Sequence, residues 1–262
     1  MASRMLEGKV AIITGSTSGI GLAIAQEFLK QGASVTLTGR NPKVLNEAGK
    51  KCVELCGSKD KVLLIQGDVT NDDSRVKLVN ETVKHFGKLD ILVNNAGSFQ
   101  GNSLSSDFDL TRLDNMYNLH TRAPFHLTKL AIPHLVKTKG NIINTSSLAS
   151  IKPPAITWVE YGMVKAAVDH LTRFTALELG PKGVRANSIN PAAIETNLLA
   201  KEGMPAEDYI KAFETWHALR RGGQPHEVAK VAAFLASDAA SFLTGLVMPV
   251  DGGSLLVPPG SA

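Results

Sequence analysis

Tyr161 and Lys165 stand four residues apart in a stretch with helical patterning, so both side chains fall on one face. A free phenol titrates near pH ~10, and an ammonium beside it favours the phenolate and lowers that value. Such a tyrosine could give a proton to a carbonyl oxygen during a reduction, or take one from an alcohol during an oxidation. Ser147, at the end of the preceding apolar run, could hydrogen-bond the same oxygen. Asn118, on a long helix further back, could hold a water that leads protons toward Lys165. A lone Tyr-x-x-x-Lys pair occurs on many surface helices; its surroundings give this one weight.

Those residues need a frame. The segment Lys9–Gly21 reads KVAIITGSTSGIG: an apolar run, then glycines at Gly15, Gly19 and Gly21 with Ser18 just before the second, and a helical pattern that begins at Ile20. Glycine lets backbone approach a phosphate closely, and a helix N-terminus offers free N–H groups and a positive dipole end. Further strands are expected at Ser34–Thr38, Val62–Gln66, Ile91–Val93, Asn141–Thr145, Arg185–Ile189 and Leu246–Val250, after a first at Val10–Thr14. Helical patterns lie between them at Gly21–Gln31, Lys43–Leu55, Asp72–Phe86, Leu110–Lys137, Tyr161–Leu179 and His226–Ala236. This alternation predicts an α/β fold: one doubly wound, seven-stranded parallel sheet with helices on both faces, as a single domain over residues 1–262. The strands are continuous apolar runs, as expected when both faces are buried.

In such sheets ligands bind beyond the carboxyl ends of the strands, where the strand order reverses. Small, polar or glycine residues fall at six of those ends: Gly15–Gly21, Gly39–Arg40, Asp68–Val69, Asn94–Asn95–Ala96–Gly97, Ser146–Ser147 and Asn190–Pro191. After the second strand, Thr38–Gly39–Arg40 offers no carboxylate for a ribose 2′-hydroxyl, whereas the Arg40 guanidinium suits a 2′-phosphate. NADP(H) is therefore the expected cofactor, with NAD(H) as the alternative if Arg40 is only a surface arginine. Residues 195–221, including Met204, Tyr209, Phe213 and Trp216, form a long insertion where a substrate lid would sit. Trp158, Phe99 and Pro153–Pro154 are candidate pocket walls, and together they suggest a partly apolar substrate. His120 and His126 share the helix of Asn118 and are expected as packed or surface histidines; Arg220 and Arg221 are expected to be structural.

Composition narrows the classes. The chain has 262 residues and a net charge of +4 with no basic block, so nucleic acid is not implied. Cys52 and Cys56 make neither a disulfide framework nor, with no His or Cys cluster beside them, a metal site. No apolar stretch reaches the ~20 residues of a membrane span and no signal-like segment precedes Lys9. A cytoplasmic location is expected.

Taken together, Thr14-Gly15-x-x-x-Gly19-Ile20-Gly21, Asn94-Asn95-Ala96-Gly97, Ser147, Tyr161-x-x-x-Lys165, Asn190-Pro191 and Asp251-Gly252-Gly253 resemble the short-chain dehydrogenase/reductase family from about Lys9 to Gly253. The resemblance implies a catalytic tetrad of Asn118, Ser147, Tyr161 and Lys165, with Tyr161 as general acid/base and Lys165 lowering its pKa and binding the nicotinamide ribose. It also implies that Ile194 and Thr196 contact the carboxamide, that Asp68 and Val69 contact the adenine end, and that the chain forms a homotetramer or homodimer. The chain departs from the family pattern at three places. The serine-to-tyrosine interval is one residue longer than usual, making Ser146 a rival for Ser147. Ala192 follows Pro191 where glycine is frequent, and Ser18 is not basic. The expected function is an NADP(H)-dependent carbonyl reductase or alcohol dehydrogenase. Alternatives are an NAD-preferring dehydrogenase, a dehydratase or epimerase using bound NAD, and a non-catalytic cofactor-binding sensor or scaffold.

Overall fold

The computed structural model describes residues 4–107, 109–196 and 214–257. Seven strands form one parallel sheet: β1 Val10–Ile13, β2 Ser34–Gly39, β3 Val62–Gln66, β4 Ile91–Asn94, β5 Asn141–Thr145, β6 Arg185–Pro191 and β7 Val247–Val250. Their spatial order is β3-β2-β1-β4-β5-β6-β7, so the winding reverses between β1 and β4. There Ile13 pairs with Leu37 on one side and with Val93 on the other.

Alternate strand residues face opposite cores. Ala11 and Ile13 join Ile24, Phe28 and Ala232 on one face, while Ile12 joins Leu78, Leu127 and Leu135 on the other. The first layer holds α1 Gly19–Lys30, α2 Pro42–Cys56 and α7 Pro225–Ala236; the second holds α3 Asp72–Phe86, α5 Ala123–Thr138 and α6 Val159–Leu179. The expected strand and helix limits hold to within two residues in every case but one.

The exception is the expected single helix Leu110–Lys137. It breaks into α4 Leu110–Tyr117, a π turn over Asn118–Arg122, and α5. The physical reason is Pro124, which has no N–H to donate one turn back to His120; Ala123 donates instead to the carbonyl of Asn118, five residues earlier. The extra residue in that turn sets which side chains face the sheet ends.

The helix N-termini divide into two kinds. Asn41 accepts from the backbone N–H groups of Lys43 and Val44, Asn71 from Ser74, and Asp109 from Thr111. Ser18, before α1, is extended and its side chain caps nothing. The α1 terminus, at the point where the winding reverses, thus keeps its donors uncapped.

Candidate active site

A cleft of about 900 Å³ crosses the carboxyl ends of the strands. At the β1 end its wall is backbone. Gly15 has φ +63°, and a Cβ there would lie 2.8 Å from Cα of Ala96; one at Gly21 would lie 2.4 Å from both the Gly15 carbonyl and Asn95 Nδ2. Thr14 locks this turn to the β4 turn: its Oγ1 accepts from the N–H groups of Asn95 (2.8 Å) and Ala96 (2.9 Å). Asn95 Nδ2 in turn donates to the Thr14 carbonyl at 2.9 Å. Gly15, Ser18, Gly19, Ile20, Gly21, Asn95, Ala96 and Gly97 all line the cleft.

Arg40, at the end of β2, lines the same cleft and is exposed, with no ion pair to a described residue. Asp68 and Val69 follow β3. Asp68 Oδ1 accepts from the N–H (2.9 Å) and hydroxyl (2.8 Å) of Thr70, and the Val69 carbonyl accepts from Arg75, whose side chain is fully buried. Beyond β6, Pro191, Ile194 and Thr196 line the opposite lip. An uncapped helix N-terminus, bare glycine backbone and a free guanidinium fit a phosphorylated dinucleotide laid along this wall.

At the β5 end the wall is side chains. Ser147 Oγ accepts from the N–H of Ala149 at 3.1 Å, which leaves its O–H to donate. Tyr161, in the first turn of α6, is 7% exposed, its ring edge-to-face with Phe99, His120 and Trp158 at 5.3, 5.6 and 5.8 Å between centroids. Ser146, the rival serine, is turned into the fold and donates to the Lys165 carbonyl at 3.1 Å, whereas the Ser147 hydroxyl meets the Tyr161 phenol.

Burial pushes the Tyr161 phenol up to about 12, against the Ser147 hydrogen bond, which pulls it down. Burial also draws the Lys165 ammonium down to about 8, opposed by Asp169. Desolvation thus dominates at the phenol, and the influence that opposes it is the Ser147 hydrogen bond rather than the Lys165 charge. Lys165 Nζ donates to the Thr145 carbonyl at 2.8 Å and lies 5.5 Å from the Tyr161 ring centroid. In this arrangement Tyr161 is protonated at neutral pH and ready to donate.

Behind this corner is a buried polar network absent from the sequence reading. Asp169, one turn beyond Lys165 on α6, accepts from Ser150 Oγ (2.5 Å), Ser188 Oγ (3.1 Å) and Asn190 Nδ2 (2.9 Å). Asn190 also donates to the Ser147 carbonyl at 3.1 Å, so the network fixes the backbone of the site serine. The signals in the sequence were Asn190 at a strand end and the α6 spacing Tyr161–Lys165–Asp169.

Of the four expected catalytic residues, three meet in the cleft. Asn118 does not line it: its Nδ2 reaches the Thr70 carbonyl and its Oδ1 the Arg122 guanidinium, both at 3.5 Å. His120 lines the cleft instead, 2% exposed. His126 is outside it, its Nδ1 accepting from Arg75 Nε at 3.0 Å. Arg221 forms a two-pronged pair with Glu227 at 2.7 and 2.8 Å, and among the described residues Arg220 reaches the Glu214 carbonyl. Trp158, Pro153, Pro154 and Trp216 line the cleft, and Phe99 packs behind Trp158 at 4.4 Å. Met204, Tyr209 and Phe213 lie outside the described residues. No helix of the described residues is long and apolar enough to cross a membrane.

Comparison with known proteins agrees with this geometry. Residues 15–254 match a family model described as enoyl-(acyl carrier protein) reductase. The chain is 38% identical over 257 residues to dehydrogenase/reductase SDR family member 4 of Caenorhabditis elegans, covering 95% of this chain and 96% of that protein. It superposes with a TM-score of 0.91 on a short-chain dehydrogenase/reductase of unknown function from Caenorhabditis elegans, solved with cofactor, at 34% identity and over 97% and 98% of the two chains. A short-chain dehydrogenase from Burkholderia cenocepacia in complex with NADP gives 0.88 at 30% identity, over 96% and 99%. With the sheet order, the glycine turn and the Ser147–Tyr161–Lys165 corner in place, the chain belongs to the short-chain dehydrogenase/reductase family and is an oxidoreductase.

Proposed function

We propose that the protein reduces a carbonyl, or oxidises the corresponding secondary alcohol, with NADP(H). The observation that carries this reading is one cleft holding both the uncapped α1 terminus and a buried, protonated Tyr161 beside Ser147. The nicotinamide, when bound, supplies or accepts the hydride. Ser147 and Tyr161 would hold the substrate oxygen, and Tyr161 would move the proton at its Oη. Lys165 would stabilise the phenolate left behind, and Ala96, Gly97, Pro191, Ile194 and Thr196 would fix the nicotinamide end.

The choice of NADP(H) over NAD(H) is supported by Arg40 free at the β2 end, and by the NADP bound in the Burkholderia relative. The aromatic and proline walls from Trp158, Pro153, Pro154 and Trp216 favour a partly apolar substrate. In this reading residues 195–221 act as its lid within a single domain, and the two unpaired thiols Cys52 and Cys56 suit a cytoplasmic location. Phe125, Met163, Phe174 and Leu177 on α5 and α6 are 56–75% exposed, a surface that suits a homodimer or homotetramer and is tested by gel filtration.

A panel of ketones, aldehydes and secondary alcohols assayed with NADPH and NADH side by side tests the whole. Saturable turnover with NADPH preferred is expected. Turnover with NADH alone would overturn the assignment of Arg40, and tightly retained cofactor without net nicotinamide turnover would favour a dehydratase or epimerase.

A further inference from the structure

Arg75, one turn into α3, is the largest side chain fully removed from solvent among the described residues. It does not line the cleft, and neither do the side chains that hold it. Its Nη1 donates to the Val69 carbonyl, its Nη2 to Asp72 Oδ1 and its Nε, at 3.0 Å, to His126 Nδ1 on α5. Asp72 is gripped from its other side by Arg122, which donates to Oδ2 at 2.9 Å. Burial, and after it the Arg75 charge, hold the His126 ring below the ordinary histidine value. At neutral pH Nδ1 therefore keeps the lone pair that Arg75 Nε uses.

A guanidinium is a costly way to fill space inside a fold. Taking its charge out of water is offset only by well-made hydrogen bonds, and an apolar side chain of similar volume is often as stable or more so. Stability alone therefore does not account for Arg75. What the guanidinium adds is a planar fork that fixes three acceptors at once. That fork ties the loop after β3 to both α3 and α5.

The loop borders the cleft beside Arg40. The N–H of Gly67 donates to the Gly39 carbonyl at 3.2 Å, and Gln66 Nε2 donates to the Arg40 carbonyl at 3.1 Å, so the ends of β2 and β3 lie side by side. Gly67, Asp68, Val69 and Thr70 line the cleft there, and β3 is the sheet edge farthest from the β6 end with Pro191, Ile194 and Thr196. A nucleotide whose 2′-phosphate met Arg40 would set its base against residues 67–70.

We propose that Arg75, with His126 as its acceptor, is a positioning residue for the adenine end of the cofactor: it holds the Val69 carbonyl and so fixes residues 67–70 as the wall for the base. This rests on the NADP(H) reading proposed above. Arg75 acts through the loop it grips.

The test reads binding apart from turnover. In Arg75→Met, the Kd of NADPH by nicotinamide fluorescence and of adenosine 2′,5′-bisphosphate by calorimetry should both rise ~10-fold, while kcat at saturating NADPH stays within about twofold. NADPH and NADH should weaken together, whereas Arg40→Ser shifts their ratio. Arg75→Lys keeps the charge without the fork; it should show the same split to a smaller degree, and it carries the test if Arg75→Met does not fold. His126→Asn, whose Oδ1 can take the place of Nδ1, should bind like wild type, and His126→Leu like Arg75→Met. Unchanged bisphosphate affinity in the folded Arg75 variants, a fall in kcat with affinity retained, or equal losses in His126→Asn and His126→Leu would overturn the proposal. If the wild type binds both NADPH and the bisphosphate and Arg75→Met binds them equally well, only this inference fails. If the wild type binds neither, the cofactor reading fails and this inference with it.

Discussion

At the β1 end of the cleft the surface is backbone, shaped by Gly15 and Gly21 and by an α1 terminus that no side chain caps. At the β5 end it is side chains: a phenol, an ammonium and an imidazole, all less than a tenth exposed. The first end binds by geometry that glycine permits and the fold stabilises. The second holds ionisable groups out of water, where each charge is costly. In the proposed function, phosphate recognition and proton transfer thus make opposite demands on the same fold. One wants backbone held close, the other wants charge held against its solvation.

That contrast can be broken first at Tyr161. Tyr161→Phe should lower kcat by about 10²–10⁴-fold and leave cofactor affinity within a few-fold, read by steady-state kinetics and fluorescence titration. An equal loss of affinity would mean that the two ends are not separable.

Lys165→Met should abolish turnover yet raise stability. Burial draws the Lys165 ammonium down to about 8, from the 10.5 of a free lysine, so the charged form is penalised in the fold. By linkage that penalty, on the order of 3 kcal/mol, is fully present below pH 8. It is relieved as pH rises from about 8 towards about 10.5. Wild-type stability in denaturant titrations should climb over that interval, and Lys165→Met should lack the climb. The same titration removes the ammonium, so the carbonyl-reduction rate should decline above about pH 8.

Gly21→Ala attacks the other end. Its Cβ would meet the Gly15 carbonyl at 2.4 Å, backbone that cannot swing aside. A stability loss of about 1–3 kcal/mol is expected, with loss of cofactor binding, while the Tyr161–Ser147 geometry stays in place. Calorimetry and ligand titration check both halves of that statement. The smallest effect belongs to Arg40→Ser, which should shift the NADPH/NADH ratio of kcat/KM about tenfold toward NADH, leaving kcat with saturating cofactor unchanged.

The sequence was most legible where a residue's role is local. Gly15, Gly19 and Gly21 between an apolar run and a helical pattern mark a strand-turn-helix whatever surrounds them, and the strand ends fell within two residues of their expected places. Tyr161 and Lys165 were readable because four residues on a helix define a face. Ser146 and Ser147 could not be separated, since adjacent residues at a strand end point opposite ways and only the position of α6 decides which meets the phenol. Asn118 and His120 could not be separated either. The helix phase there depends on the π turn that Pro124 leaves behind, and that shift is invisible to a 3.6-residue periodicity.

The sequence by itself determined the doubly wound sheet, the glycine-lined end of the cleft and the phenol–ammonium pair, because each follows from periodicity, glycine or fixed helical spacing. Tertiary structure alone decided three things: that burial leaves Tyr161 protonated and draws Lys165 down, that Asp169 and Asn190 brace Ser147, and that the His120 ring, and not the Asn118 side chain, lines the cleft. Each of these depends on desolvation or on the packing of distant segments, neither of which spacing along a chain encodes.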